Sequence, residues 1–267
     1  MKTLSQLVIL ILVITVFNCE SKKQTSKSVS DDIKTTIDTT IYGEWIRMSP
    51  QGPVKIHFLE NGSLEIDLSN DKSIDIISNF KIENDTINFF DKEGKTCPNN
   101  GIYKVYHRGY SIAFDVLDDL CNGRIKTTSG FWVRPNHNEL IKELNSKIKN
   151  SNDISYTLHR GRMFLALGQN KKARKDFDTY MKSDSTNAKV FIHRAATRFP
   201  NGFKGIVNDC SKAIAIDSTE KYAYFLRGLA KYELGEKQEA CNDFQKAIDL
   251  GFEILKEAEA YKCRAYW

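Results

Sequence analysis

The stretch from Arg227 to Ile248, RGLAKYELGEKQEACNDFQKAI, is a tighter copy of RGRMFLALGQNKKARKDFDTYM, which runs from Arg160 to Met181. Their Arg-Gly pairs stand 67 residues apart, close to two periods of about 34, so a third copy belongs between them. It is present in worn form. Arg194-Ala195 falls 34 residues after the first pair and 33 before the last, and NDCSKAIAIDSTE at 208–220 matches NDFQKAIDL at 242–250. A unit of this length cannot bury its apolar face alone, so neighbours must stack. That requirement commits the C-terminal half to a helical solenoid.

Over residues 152–253 the pattern resembles the tetratricopeptide repeat (TPR), which has two antiparallel helices per unit. Small residues at Gly161, Ala195 and Gly228 let the first helix approach the second, and Gly168, Gly202 and Gly235 close the first helix. Ala173 and Ala240 repeat the close approach from the second helix, where the middle copy has Ile206. Phe177, Cys210 and Phe244 fill the space between helices. Asp184 and Asp217 begin the links, but Ser185 and Ser218 stand where the family prefers Pro. Amphipathic segments at 138–149 and 253–264 are available as caps.

The resemblance implies a concave groove, lined by the first helices, that holds a peptide. Its lining would be Leu158, His159 and Arg162, then Ile192, His193 and Ala196, then Tyr222, Leu226 and Leu229. The family's Lys, Asn and Arg clamp for a C-terminal carboxylate is absent, because Leu158 and Leu226 occupy positions that would need charge. An apolar groove with a few cations suits a hydrophobic peptide, a helix or the chain's own β domain. Packing alone explains Ile192 and Leu229 equally well.

Residues 41–135 carry a period of two instead. VKIHF at 54–58 and LEIDL at 64–68 alternate apolar and polar residues around a hairpin signal at Glu60-Asn61-Gly62. Six more runs follow: IDII at 74–77, TINFF at 86–90, IYKVY at 102–106, SIAFDV at 111–116, IKTTS at 125–129 and FWV at 131–133. Asn, Asp and Gly turns separate most of them. About eight antiparallel strands predict a small up-and-down barrel or sandwich, and an α+β chain overall.

A hairpin of 102–106 with 111–116, turning near Gly109, pairs positions that sum to about 218, and Cys97 with Cys121 meets that sum. The arithmetic predicts a disulfide between them. Two Cys without further ligands nearby do not complete a zinc shell. Cys241 and Cys263 are a candidate second bridge tying down the C-terminal cap, and Cys210 falls at a buried interhelical position as a free thiol. Asp115, Asp118 and Asp119 form a carboxylate cluster of the kind that suits calcium, although a solvated loop after a strand is the commoner origin.

YGEW at 42–45, the Asn61-Gly62 hairpin and the CPNNGIYKVY and SIAFDVLDDLCNGR stretches resemble the lipocalin-like domains of bacterial envelope lipoproteins. That resemblance places Gly43 and Trp45 in the first strand, with Trp45 at the barrel base, and implies a small apolar ligand. Trp45, Phe58, Phe89 and Phe114 also read as a filled core.

The first 19 residues read as a signal peptide, with Lys2 followed by an apolar run of 11 from Leu7 to Phe17. That run is too short for a permanent membrane span of about 20 residues. VFNCE resembles the lipobox of bacterial lipoproteins, which implies lipidation of Cys19, with Asn18 where a small residue is usual. Residues 20–40 are Ser, Thr, Lys and Asp with almost nothing to bury, and read as a flexible tether.

Charge divides the two halves. Residues 137–267 hold 23 Lys and Arg against 17 Asp and Glu, whereas 41–136 hold 11 against 13. An acidic partner or an anionic lipid surface suits the basic half, as does a merely solvated face. No basic-aromatic motif points to nucleic acid. His57, His107, His137, His159 and His193 lack metal-ligand spacing, and no nucleophile elbow or phosphate loop is present. No enzyme, cofactor or metal site is expected. The favoured expectation is a lipid-anchored scaffold of the bacterial outer membrane, facing the periplasm or the surface, that binds a protein or peptide partner in the groove. The alternative is a lipocalin-like carrier or sensor of a small apolar ligand, with the repeats as docking module.

Overall fold

The computed structural model describes residues 41–49, 51–91, 97, 99–107, 110–128, 130–252 and 263. The expected signal segment with Cys19, the tether and the cap at 253–264, Cys263 apart, lie outside them.

Eight strands close an antiparallel barrel in chain order: β1 (Gly43–Ser49), β2 (Gly52–Phe58), β3 (Ser63–Asp67), β4 (Ile76–Glu83), β5 (Thr86–Phe90), β6 (Gly101–His107), β7 (Ser111–Asp118) and β8 (Gly130–Val133). Trp45 pairs with Ile56 and Ile56 with Ile66, so alternate residues of successive strands share the inward face. Aromatic rings fill that interior. Phe58 meets Phe80 edge-on at 5.1 Å between centroids, and Phe89 meets Tyr103 at 5.2 Å.

Both barrel ends are covered. At one, the Arg134 guanidinium lies 3.9 Å from the centre of the Trp45 ring and donates to the Tyr42 and Glu44 carbonyls. At the other sits a short helix, α1 (Asn122–Thr128), with Ile125 and Thr128 buried. Its Arg124 donates to the Asp119 carboxylate at 2.7 and 2.8 Å, and the Tyr103 hydroxyl donates to the same group. Beneath α1, Arg47 donates to the Thr127 carbonyl at 3.1 Å, and burial lowers its pKa to about 10.

The expected strand at 125–129 is therefore helical. The Thr127 and Thr128 hydroxyls donate to the Gly123 and Arg124 carbonyls one turn back, each at 2.9 Å, and the hold of Asp119 on Arg124 overrides the β preference of the two threonines. The eighth strand is β1. The run predicted at 74–77 starts at Ile76 instead and continues to Glu83. Cys97 and Cys121 are bridged, although the pairing of β6 with β7 sums to 219 from Tyr103 to His107 and, past a register shift, to 220 at Ile102, against the expected 218.

Among the described residues seven helices follow: α2 (His137–Asn150), α3 (Ser155–Ala166), α4 (Asn170–Ser183), α5 (Ala188–Ala196), α6 (Phe203–Ile216), α7 (Lys221–Glu233) and α8 (Lys237–Asp249). They form three TPR-type hairpins in series, α3 with α4, α5 with α6 and α7 with α8, capped by α2. A Cβ at Gly161 would stand 2.7 Å from the Phe177 ring, and one at Gly228 would stand 2.6 Å from Phe244. Only Gly admits those rings. Cys241 is bridged to Cys263, and Cys210 is free and buried.

The Arg-Gly and Asp-Phe pairs have a joint explanation. Arg160 forks onto Asp176 at 2.8 and 2.6 Å, Arg194 onto Asp209 at 3.0 and 2.5 Å, and Arg227 onto Asp243 at 2.8 and 2.7 Å. Each Arg then reaches the preceding helix with its remaining nitrogen, to Asn145, Asp178 and Ser211 respectively. One side chain thus ties three helices. Removing one member of such a buried pair strands the other's charge. Asp209→Ala is expected to lower the unfolding free energy by about 3–5 kcal/mol in urea titrations, while a surface control such as Asp249→Ala shifts it by less than about 0.5 kcal/mol.

Candidate functional site

The inner face of the repeats is the surface that the sequence marks for binding, and the barrel occupies it. The strands it presents are β7, β8 and β1, packed against α3. Inward residues of these strands belong to the barrel core, while Ala113, Phe131 and Val133 point outward and join Leu144, Met163, Ala166 and Ala196 in a second apolar cluster. β8 is buried on both faces.

Cations and rings carry the contact. The His193 ring lies between Phe131 of β8, at 5.4 Å, and Phe177 of α4, at 5.7 Å. The Arg162 guanidinium stands 5.8 Å from the Phe131 ring, and the His159 ring stands 5.8 Å from Tyr110. Tyr110 donates to Glu143 at 3.2 Å and accepts from Lys147 at 3.1 Å, which brings α2 into the same contact. Met48 of β1 meets the turn after α3 at Gly168.

A buried polar contact joins the third repeat to the barrel. The Tyr222 hydroxyl of α7 donates to Asp115 of β7, with 2% of Tyr222 and 5% of Asp115 exposed. Burial raises the Asp115 pKa against the pull of Lys221, Tyr222, Lys189 and Lys104. The neighbouring Glu220 is raised to about 7, mainly by burial, with Lys189 3.8 Å away opposing and Asp217 and Asp115 adding to the rise.

All nine predicted groove residues are partly or fully buried, and none lines an open groove. His159, Arg162, His193, Ala196 and Tyr222 meet the barrel, while Leu158, Ile192, Leu226 and Leu229 are buried among the helices. An outside peptide would have to displace the β7–β8 face. The acidic triplet also separates: Asp115 takes Tyr222, Asp119 takes Arg124 and Tyr103, and Asp118 is exposed. Neither a calcium cluster nor a solvated loop describes these residues. Among the described residues, no group of three or more His, Cys, Asp or Glu is placed to hold a metal. A lipocalin-like cup is not what the barrel offers, because aromatic side chains fill its interior.

A shallow depression of about 190 Å³ marks the outer surface of β1–β3, lined by Glu44, Lys55, His57, Glu65 and the loop from Lys72 to Ile74. Its charges pair with one another, Lys55 with Glu44 at 3.3 Å and His57 with Glu65 at 3.6 Å. Asp67 is taken up by the backbone N–H groups of Ser69, Asp71 and Lys72.

Two signals for this arrangement were present in the sequence. The Arg and Asp of each fork recur at separations of 16, 15 and 16 residues, and FWV is an unbroken apolar run, the mark of a strand covered on both faces. Tyr222 and Asp115, 107 residues apart, left none.

No protein-family model matches this chain, and no curated protein matches it. Solved structures do. The second TPR of Spaghetti (RPAP3), bound to an HSP90 peptide, is 26% identical with a TM-score of 0.36, covering 38% of this chain and 95% of that one. MamA is 19% identical with a TM-score of 0.44 over 47% of this chain and 77% of its own. The Arabidopsis OM64 TPR domain is 27% identical with a TM-score of 0.38 over 42% of this chain and 91% of its own.

Glu220 gives the contact a pH dependence. Its pKa rises from 4.5 to about 7 on folding, so its stabilising effect is complete below pH 4.5 and is lost as pH climbs through 7. Between pH 5 and pH 8 the wild-type unfolding free energy is expected to fall by about 2–3 kcal/mol more than that of Glu220→Gln, read from urea titrations at the two pH values.

Proposed function

We propose that this chain is a non-catalytic, lipid-anchored scaffold of a bacterial cell envelope. Its repeat groove holds its own barrel, and outside protein partners meet the surfaces that remain exposed. The observation that carries this reading is the seat of β7 and β8 on the inner face, closed by the Tyr222–Asp115 contact. A groove so filled fixes the two parts as one body and leaves a partner the outer helices and the far side of the barrel. The filled barrel interior argues against a carrier. The anchor is read from Cys19 in VFNCE, and the outer membrane from the same resemblance. Among the described residues no helix is long and apolar enough to cross a membrane.

The internal seat is tested by inserting a protease site between Arg134 and Asn136. After cleavage the two halves are expected to co-elute, and to separate when His193→Glu places a carboxylate between Phe131 and Phe177. Halves that separate in the wild-type background, together with a peptide that binds the intact chain and is lost in Leu226→Glu, would return the groove to an outside ligand. The anchor has its own readout. Metabolic labelling with a fatty-acid analogue is expected to mark the wild type and not Cys19→Ala.

A further inference from the structure

The charges of α4 and α6 are sorted by sign. From residue 170 to 216 the exposed charged residues are six lysines, Lys171, Lys172, Lys175 and Lys182 on α4 and Lys204 and Lys212 on α6, and Asp178, whose side chain is also exposed among them, is paired with Arg194. The acids of the same stretch are engaged. Asp176 lies under Arg160, Asp178 takes Arg194 at 2.7 Å, Asp209 takes Arg194 and Arg198, and Asp184 accepts from Thr186 and Tyr180. The arginines are likewise turned inward, with Arg174 donating to Thr197. By contrast, α2 and α8 expose acids and lysines together.

Folding does not ask for this pattern. Lys171 and Lys175 are like charges one turn apart, which weakens a helix. Lys171, Lys172 and Lys204 stand in first turns, where the helix dipole disfavours cations, and neither first turn holds an acid. The spacing of Lys171, Lys175 and Lys182 keeps all three on one face of α4.

We infer that this outer face of α4 and α6 lies against an anionic phospholipid surface. The composition separates that partner from the others. A protein interface has an aromatic or arginine centre and is poor in lysine. Between the lysines here stand Asp178, taken by Arg194, and Thr179 on α4 and Asn208 on α6, and the exposed apolar Ile216 is confined to the end of α6. No aromatic side chain is offered for base stacking. Exposed point charges with no apolar centre suit a plane of smeared negative charge, on which each cation adds about fivefold to the partition. The inference does not depend on the lipid anchor proposed above, and its test removes that anchor from both arms.

Full-length chain carrying Cys19→Ala is sedimented with vesicles of phosphatidylcholine alone and of phosphatidylcholine mixed with phosphatidylglycerol. Partition is expected to favour the mixed vesicles and to fall steeply with added salt. The combined variant Lys171→Gln, Lys175→Gln, Lys182→Gln, Lys204→Gln and Lys212→Gln is expected to lose at least about tenfold on mixed vesicles. Its partition onto phosphatidylcholine should not change, and its melting temperature should equal or exceed that of the parent. Equal partition of variant and parent on mixed vesicles overturns the inference, as does a parent with no preference for them. Tighter binding of the parent to duplex DNA or to polyglutamate than to mixed vesicles also overturns it.

Discussion

Each repeat is organised around a charge taken out of water. Asp176, Asp209 and Asp243 are buried between helices, and each is matched by the planar fork of an arginine from the facing helix. Such a pair adds little net stability over a well-packed apolar pair, but it penalises every arrangement in which the two halves fail to meet. It therefore acts on register. With the third guanidinium nitrogen reaching the previous hairpin, the same residue sets the helix pairing inside a repeat and the stacking of one repeat on the next. The glycines beside Arg160 and Arg227 make this geometry reachable by admitting Phe177 and Phe244 at distances no Cβ would allow.

Once the register is set, the first helices present a continuous inner face, and the barrel supplies what covers it. The fit is mutual. β7 and β8 point one set of side chains into the barrel and the other onto the repeats, so the sheet and the solenoid share a wall. Rings and cations predominate in that wall, and a deeply buried polar contact, Tyr222 with Asp115, lies toward the third repeat. The burial of Glu220 beside it, only partly compensated by Lys189, is a local cost, which the surrounding packing offsets.

The sequence disclosed the repeats because their packing is local and periodic. Arg, Gly, Ala and Phe return at fixed intervals, since every hairpin solves the same steric problem. The barrel was legible through alternation, and the Cys97–Cys121 bridge through hairpin arithmetic, which tolerates an offset of about one or two residues. What stayed hidden depended on distant partners. IKTTS has the local preference of a strand, yet Arg124 is drawn to Asp119 and Tyr103 across the barrel mouth, and the segment coils to deliver it. Of the nine groove positions five meet the barrel and four are buried among the helices, and no spacing in a linear chain announces that Phe131 will sit against His193.

The wall shared by barrel and repeats has a mechanical consequence. A free solenoid is springy, because each unit touches only its neighbours and small rotations accumulate along the stack. Here contacts from α2, α3, α5 and α7 converge on the same stiff cylinder, so opening the curvature at any joint would peel rings and a buried hydroxyl from their seats. The array is braced like an arch over its centring, and a load applied to one outer helix is passed to the whole body.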